Sequence, residues 1–325
     1  MSGAFAVNFA VDKGLRQSRD DEFSTWNDIF DSTNNSDVII LGNSRAWEHI
    51  SPEILDSVLH INSYNLGING YPFSMQYTRF KLFEKYNKKP SLVIQSVDFL
   101  KTLHQATMYN KGQFTPYTYD NLLRDELKKI GFTNAEFHIP AWKYLFAYPT
   151  IIRGLKEYQY LNWLPGGSDP TRYKGYAGLD GNWDPTEMNK VLRDSIVVSV
   201  NPEVVALFDA FLNYCKGNSI QVILVFTPQY IKMSEFTQNW DGEMRVYHDF
   251  AEKYDIPFLD YTHDPICYDT TYFFNATHLN KKGAELFSLQ LANDIKEQNL
   301  YKYEDCESPQ EPLKFIVREK LLQKE

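Results

Sequence analysis

Short, mostly unbroken apolar runs constrain this chain more than any other feature. They are DVIIL (37–41), SYNL (63–66), SLVIQ (91–95), IQVILVF (220–226) and IPFLDY (256–261). Each is too short for a helix, and none shows the strict in–out alternation of a strand with one wet face. Strands that are apolar on both sides are covered on both sides. Helical stretches stand between them, at 51–59, 74–86, near 241–254 and at 280–298. Strands that alternate with helices build a parallel sheet between two helical layers. The pattern predicts a three-layer α/β/α sandwich with a parallel sheet of about five strands, a flavodoxin-like layout. A hydrophobic share of 43% supplies the core that such a fold needs.

Helix signals sharpen the boundaries. Ser51, Pro52 and Glu53 mark the start of the first of these helices. Asn201 as cap, Pro202 in the first turn and Gly217 at the end frame a helix over 202–216. Its Val204, Phe208, Phe211 and Cys215 share one face. Phe287, Leu291 and Ile295 do the same in a helix over 283–297. The α/β rhythm therefore occupies 37–298, preceded by an extension (1–36) and followed by a polar linker and a short amphipathic piece (299–325). Residues 101–200 break the rhythm and read as a helical insertion. It either caps the sheet edge and helps build a substrate site or is helical decoration.

Composition removes several function classes. A net charge of −9 argues against a nucleic-acid partner, which needs a basic face. Cys215, Cys267 and Cys306 have neither CxxC nor zinc spacing, and Cys215 reads as a core residue. His263 next to Asp264 lacks a third ligand, so no metal and no cofactor is expected. No run is long enough to span a bilayer. The start, GAFAVNFAVDKG, is read either as the remnant of a trimmed membrane anchor or as an ordinary frayed terminus.

In an open parallel sheet, functional groups collect at the carboxyl ends of the strands. The first strand runs directly into Gly42-Asn43-Ser44-Arg45, which sets Ser44 at that edge. The second strand leads into Asn65-Leu66-Gly67-Ile68-Asn69-Gly70-Tyr71-Pro72, where a backbone N–H can face the same crevice and hold an oxyanion. His278 stands at the entry to the last helix, after the last strand.

These three stretches, LGNSRA, NLGINGYP and NATHLNKKGAELF, resemble the first, second and fifth sequence blocks of the SGNH (GDSL-like) hydrolases. The likeness is to a divergent bacterial branch linked to cell-surface polysaccharide, whose members commonly carry an N-terminal membrane anchor. It covers roughly 37–101 and 202–298. The resemblance implies Ser44 as nucleophile, His278 as general base, and Ser44 and Gly67 as oxyanion donors. It implies an esterase or O-acyltransferase acting on acyl (acetyl) esters of carbohydrate, an acylated polysaccharide as partner, and a place in the cell envelope.

Two departures bear on activity. The family's last block usually reads Asp-x-x-His, and here Asn275 holds the acidic position. Asn275 can orient the ring but offers no charge, which Asp264 or Asp269 can supply instead. The third block usually reads Gly-x-Asn-Asp. Here it is Gln95-Ser96-Val97-Asp98, leaving Gln95 or Ser96 as the donor. Arg45 either binds an anionic substrate group or pairs with Asp98, and Asn69 is a further support residue. Glu48 and His49 read as a surface pair at the helix entry. Tyr173, Tyr176 and Trp183 either stack on sugar rings or pack the core. The rival reading is an SGNH-fold protein that has lost catalysis and binds polysaccharide or assists its assembly.

Overall fold

The structure is a computed structural model that describes residues 2–19, 21–100, 109–145, 147–158, 172–184, 186, 196–197 and 199–301. The expected amphipathic piece after residue 301 and part of the 101–200 insertion lie outside the described residues.

The chain begins with α1 (Ser2–Leu15) and α2 (Asp21–Phe30). Then come β1 (Val38–Leu41), α3 (Ser44–His49), α4 (Pro52–Leu59), β2 (Ser63–Asn65), α5 (Phe73–Tyr86) and β3 (Leu92–Ser96). The insertion contributes α6 (Asn121–Lys129), α7 (Asn134–His138), α8 (Tyr148–Glu157) and β4 (Ile196–Val197). The second half is α9 (Pro202–Gly217), β5 (Gln221–Phe226), α10 (Ile231–Phe236), β6 (Thr237–Gln238), α11 (Trp240–Tyr254), β7 (Phe258–Asp260) and α12 (Lys281–Glu297).

β2, β1, β3, β5 and β7 form one parallel sheet in that order, and β4 pairs with β6 apart from it. This is the three-layer α/β arrangement the apolar runs predict. The register sets Ile40 beside Ile94, and Ile94 beside Ile223. Together with Val38 and Val225 these face α4 and α12, where Leu55, Phe287, Leu291 and Ile295 bury against them. The alternate residues Ile39, Leu41, Val93, Leu224 and Phe226 face the other layer, with Phe80, Phe83, Phe208, Phe211 and Tyr247. Each such side chain contributes about 1.5–3 kcal/mol on burial, so both layers are held firmly.

The N-terminal segment corrects the frayed-terminus expectation. Val11, Leu15, Phe23, Trp26 and Ile29 are buried in the same core as the sheet. Phe114, Tyr117, Leu123, Leu127 and Tyr144 of the insertion join them there. Among the described residues no helix is long and apolar enough to cross a membrane.

The segment after the insertion's helices runs along the sheet edge. Lys174 O accepts from Asn65 N (2.9 Å), Ala177 N donates to Trp47 O (3.3 Å), and Leu179 O accepts from Lys281 N (2.7 Å). Residues 174–179 thus pass from β2 across α3 to the start of α12, beside the carboxyl ends of the strands.

Candidate active site

The site is built on the sharp exit from β1. Gly42 has φ +150, and a Cβ there would lie 2.6 Å from Ala46 Cβ and 2.9 Å from Ser96 O. Only glycine fits this left-handed, crowded turn. Asn43 then caps a helix, its Oδ1 accepting from Arg45 N at 3.0 Å. The helix therefore starts at Ser44 itself, one element earlier than the sequence signals at Ser51–Glu53 suggest.

That start fixes which residues share a face. Ser44 and Glu48 stand four apart, as do Arg45 and His49, and four-apart pairs are neighbours on a helix. Ser44 Oγ lies 2.8 Å from His278 Nε2. Arg45 turns toward β3, where Nη2 donates to Val97 O (2.9 Å) and Asp98 Oδ1 (3.1 Å). The guanidinium covers the Phe226 ring at 4.3 Å. Arg45 is thus paired with Asp98, whose other oxygen accepts from Asn43 Nδ2.

His278 is oriented by its own turn. Asn275 Oδ1 accepts from the backbone N–H of Thr277 (3.0 Å) and of His278 (2.9 Å). Both are obligate donors, so the atom facing them is the carbonyl oxygen. The same oxygen lies 3.0 Å from His278 Nδ1. Nδ1 must then carry the ring proton, which leaves the Nε2 lone pair to accept from Ser44 Oγ–H. Asn275 sets the tautomer that a nucleophilic serine needs, though it brings no charge. Asp264 accepts from Ile266 N and Gln290 Nε2, and Asp269 from Thr271 N. Those are capping and surface roles; the carboxylate beside the ring is a different one.

That carboxylate is Glu48, and it corrects the surface-pair expectation. Glu48 and His49 are both buried, at 4% and 0% exposure. Glu48 Oε2 sits 3.5 Å from His278 Nε2 and has no hydrogen-bond partner. The separation is that of an ion pair, yet burial keeps both groups neutral near pH 7. Desolvation pushes the Glu48 carboxyl up to about 8, against the pull of Arg172. Desolvation, helped by the Arg45 charge, pushes His278 down to about 4, with Asp98 opposing.

His49 ties the nucleophile helix to the histidine turn. Its Nε2 accepts from Leu279 N (3.0 Å), so its proton is on Nδ1, which donates to Thr227 Oγ1 (3.0 Å). Burial, with His278 and Arg45 nearby, holds its pKa well below the ordinary value, consistent with a neutral ring. His49→Ala strands the Leu279 N–H and empties a packed site. It is expected to cost about 2–4 kcal/mol, read as a lower urea midpoint at unchanged slope. A midpoint within error of wild type would remove this clamp from the account.

Two expected oxyanion donors are not available. Gly67 N–H donates to Asn65 Oδ1 at 2.8 Å, and a Cβ on Gly67 would fall 2.6 Å from Trp47 N. Gly67 is glycine so that α3 can lie against this turn, with Arg79 Nη1 bonded to its carbonyl (3.0 Å). Gln95 lies on the face of β3 away from α4 and α12, and Nε2 donates to Gln76 Oε1 (3.2 Å) and Ser96 O (3.0 Å). It lines a cavity of about 50 Å³ with Asn43, Gln76 and Phe208. Ser44 N–H, at the first turn of α3, makes no hydrogen bond with a described residue, and the same holds for the N–H groups of Asn69 and Gly70. Asn69 is half-buried in that turn.

A wide groove of about 520 Å³ lies at the edge segment, lined by Ser51, Glu53, Tyr173, Tyr176, Asp180 and Lys281; Ser44, Glu48 and His278 do not line it. Tyr173 is half exposed there, whereas Trp183 packs against Tyr230 with ring centres 4.9 Å apart. His263 is exposed and contacts Tyr268 (3.3 Å). Among the described residues no group of three acidic, histidine or cysteine side chains is placed to hold a metal.

A buried cluster that the sequence reading missed supports the site. Glu22 pairs with Arg79 (2.9 Å) and Arg172 (3.1 Å), and Arg172 covers the Trp47 ring at 4.3 Å. It links α2, the turn after β2 and the edge segment to α3. Nothing in local spacing announces it, because its members are separated by long stretches of chain.

No family model matches the chain, and no curated protein matches it. Solved structures with a similar trace include a GDSL-like lipase from Bacteroides thetaiotaomicron. It is 12% identical, with 80% of this chain and 88% of that one covered and a TM-score of 0.37. Another is a G-D-S-L family protein from Desulfitobacterium hafniense, at 13% identity, 80% and 99% coverage and a TM-score of 0.38.

Proposed function

We propose that this chain is a serine esterase or O-acyltransferase acting on acyl, including acetyl, esters of carbohydrate. The observation that carries the reading is the 2.8 Å contact of Ser44 Oγ with a His278 Nε2 whose lone pair is fixed by Asn275. Ser44 Oγ attacks the ester carbonyl while its proton passes to Nε2. The oxyanion is received by Ser44 N–H, which makes no hydrogen bond with a described residue. Collapse expels the alcohol, which takes the proton from Nε2 and leaves an acyl-Ser44. Water or a sugar hydroxyl, deprotonated in turn by His278, then accepts the acyl group.

A fluorophosphonate tests the nucleophile directly. Intact mass is expected to show one adduct on wild type and none on Ser44→Ala. Folded wild type without an adduct would sink the esterase reading. It would favour a polysaccharide-binding role for the same fold, for which the uncharged Asn275 is the supporting observation. With an adduct in hand, acetylated oligosaccharides with and without sugar acceptors separate hydrolysis from transfer.

A further inference from the structure

We infer that Glu48 is a positioning residue of the reaction, supplying from the Nε2 side of His278 the negative charge that Asn275 cannot supply from the Nδ1 side. This role rests on the serine-hydrolase reading above.

The geometry comes first. Nε2 of His278 has two neighbours of different kinds, Ser44 Oγ at 2.8 Å and Glu48 Oε2 at 3.5 Å. Both arise from one face of α3, so the helix that presents the nucleophile also presents the carboxyl. Oε2 is buried and makes no hydrogen bond, which is costly for a polar atom unless it serves something. Among the described residues, the charged and titratable groups around it are His278 from the turn before α12, Arg172, whose charge favours the carboxylate, and Tyr176 from the edge segment, and Arg45 and His49 on its own helix. The Arg45 charge is already paired with Asp98, and that of Arg172 with Glu22.

The two protonation states of Glu48 then act oppositely on the same lone pair. As a carboxylic acid, its O–H competes with Ser44 Oγ–H for Nε2, and it offers no charge. As a carboxylate it cannot compete. It also stabilises the imidazolium formed when the Ser44 proton moves to Nε2, an interaction strengthened by the burial of Glu48. The proton stays on Nε2 until the departing alkoxide takes it, and Glu48 ends each cycle unchanged. Because burial raises Glu48 to about 8, the supportive form becomes dominant only above that pH, and Ser44 reactivity should climb through it. His278, at about 4, is already neutral across this range and adds no step of its own there.

The experiment is the pH dependence of the fluorophosphonate labelling rate of Ser44 from pH 5 to 10, corrected for reagent hydrolysis. It is run on the full chain as wild type, Glu48→Gln and Glu48→Asp. Wild type is expected to rise about tenfold or more through a single inflection near 8. Glu48→Gln, close in shape but unable to ionise, is expected to stay on the low plateau throughout. Glu48→Asp, which restores a carboxyl one methylene shorter, should restore an inflection. A merely structural Glu48 would shift the rate equally at all pH values and leave the inflection in place, which overturns the role. So does a wild-type profile that is flat near 8. Absence of labelling at every pH in folded wild type overturns the esterase reading and this role with it; labelling without a Glu48-dependent step overturns this role alone.

Discussion

Replacing His278 with alanine is expected to slow fluorophosphonate labelling of Ser44, and any ester turnover, by on the order of 10³-fold at pH 8. Among the described residues, His278 Nε2 is the nitrogen base within hydrogen-bond reach of Ser44 Oγ, at 2.8 Å. Without it the hydroxyl must lose its proton to water. The effect should fall mainly on the chemical step. The His278 side chain is 22% exposed, so His278→Ala also removes some packing, but it should lower the melting temperature less than His49→Ala, whose ring is fully buried. A further sign follows from the low pKa. His278 protonates only near pH 4, so once Glu48→Gln removes the Glu48 step, the rate should not show the loss between pH 7 and 6 that an ordinary histidine base would impose. Labelling in His278→Ala within a few-fold of wild type would show that another group activates Ser44.

The fold was readable because the apolar runs lack alternation, and that property survives in the sheet as strands buried on both faces, β1 and β3 above all. The placement of Ser44 and His278 was readable because each sits near an element end, and that of Asn275 from the resemblance of its turn to the family's last block. What stayed hidden depended on contacts between distant segments. Gly67 looks like an oxyanion donor in one dimension, but its N–H is taken by the Asn65 side chain, a matter of rotamer. Glu48 looks like a surface acid until the 275–279 turn and residues 172–177 cover it. Two signals were nevertheless present. Gln95 has the parity of Val93 and Val97 rather than Ile94, so period-two alternation already sends it to the other layer. And Asn43 is as good a helix cap as Ser51. Starting a helix at Ser44 would have put Glu48 on the nucleophile's face.

Asn275→Asp is expected to raise the Ser44 labelling rate roughly tenfold or more at pH 7, a gain of function from one atom. In a Ser-His-Asp protease the opposite change costs about 10⁴-fold, in large part because the asparagine fixes the wrong tautomer. That part of the loss does not apply here, because two backbone N–H groups hold the Asn275 carbonyl oxygen toward Nδ1. What is missing is charge alone. Asn275 Nδ2 donates to no described residue, so its replacement by an oxygen breaks no bond within the fold. A carboxylate 3.0 Å from Nδ1 should lift His278 above its value of about 4, making it a stronger base for the Ser44 proton. The same change should also weaken the dependence on Glu48. If both groups serve one imidazolium, removing Glu48 from the Asn275→Asp protein must cost less than removing it from wild type, a coupling that a double-mutant cycle at pH 9 reads directly. An Asn275→Asp protein with the wild-type rate would mean that imidazolium charge does not limit this site. The low basicity of His278 would then have to be offset elsewhere, with the Ser44 N–H as the next group to test.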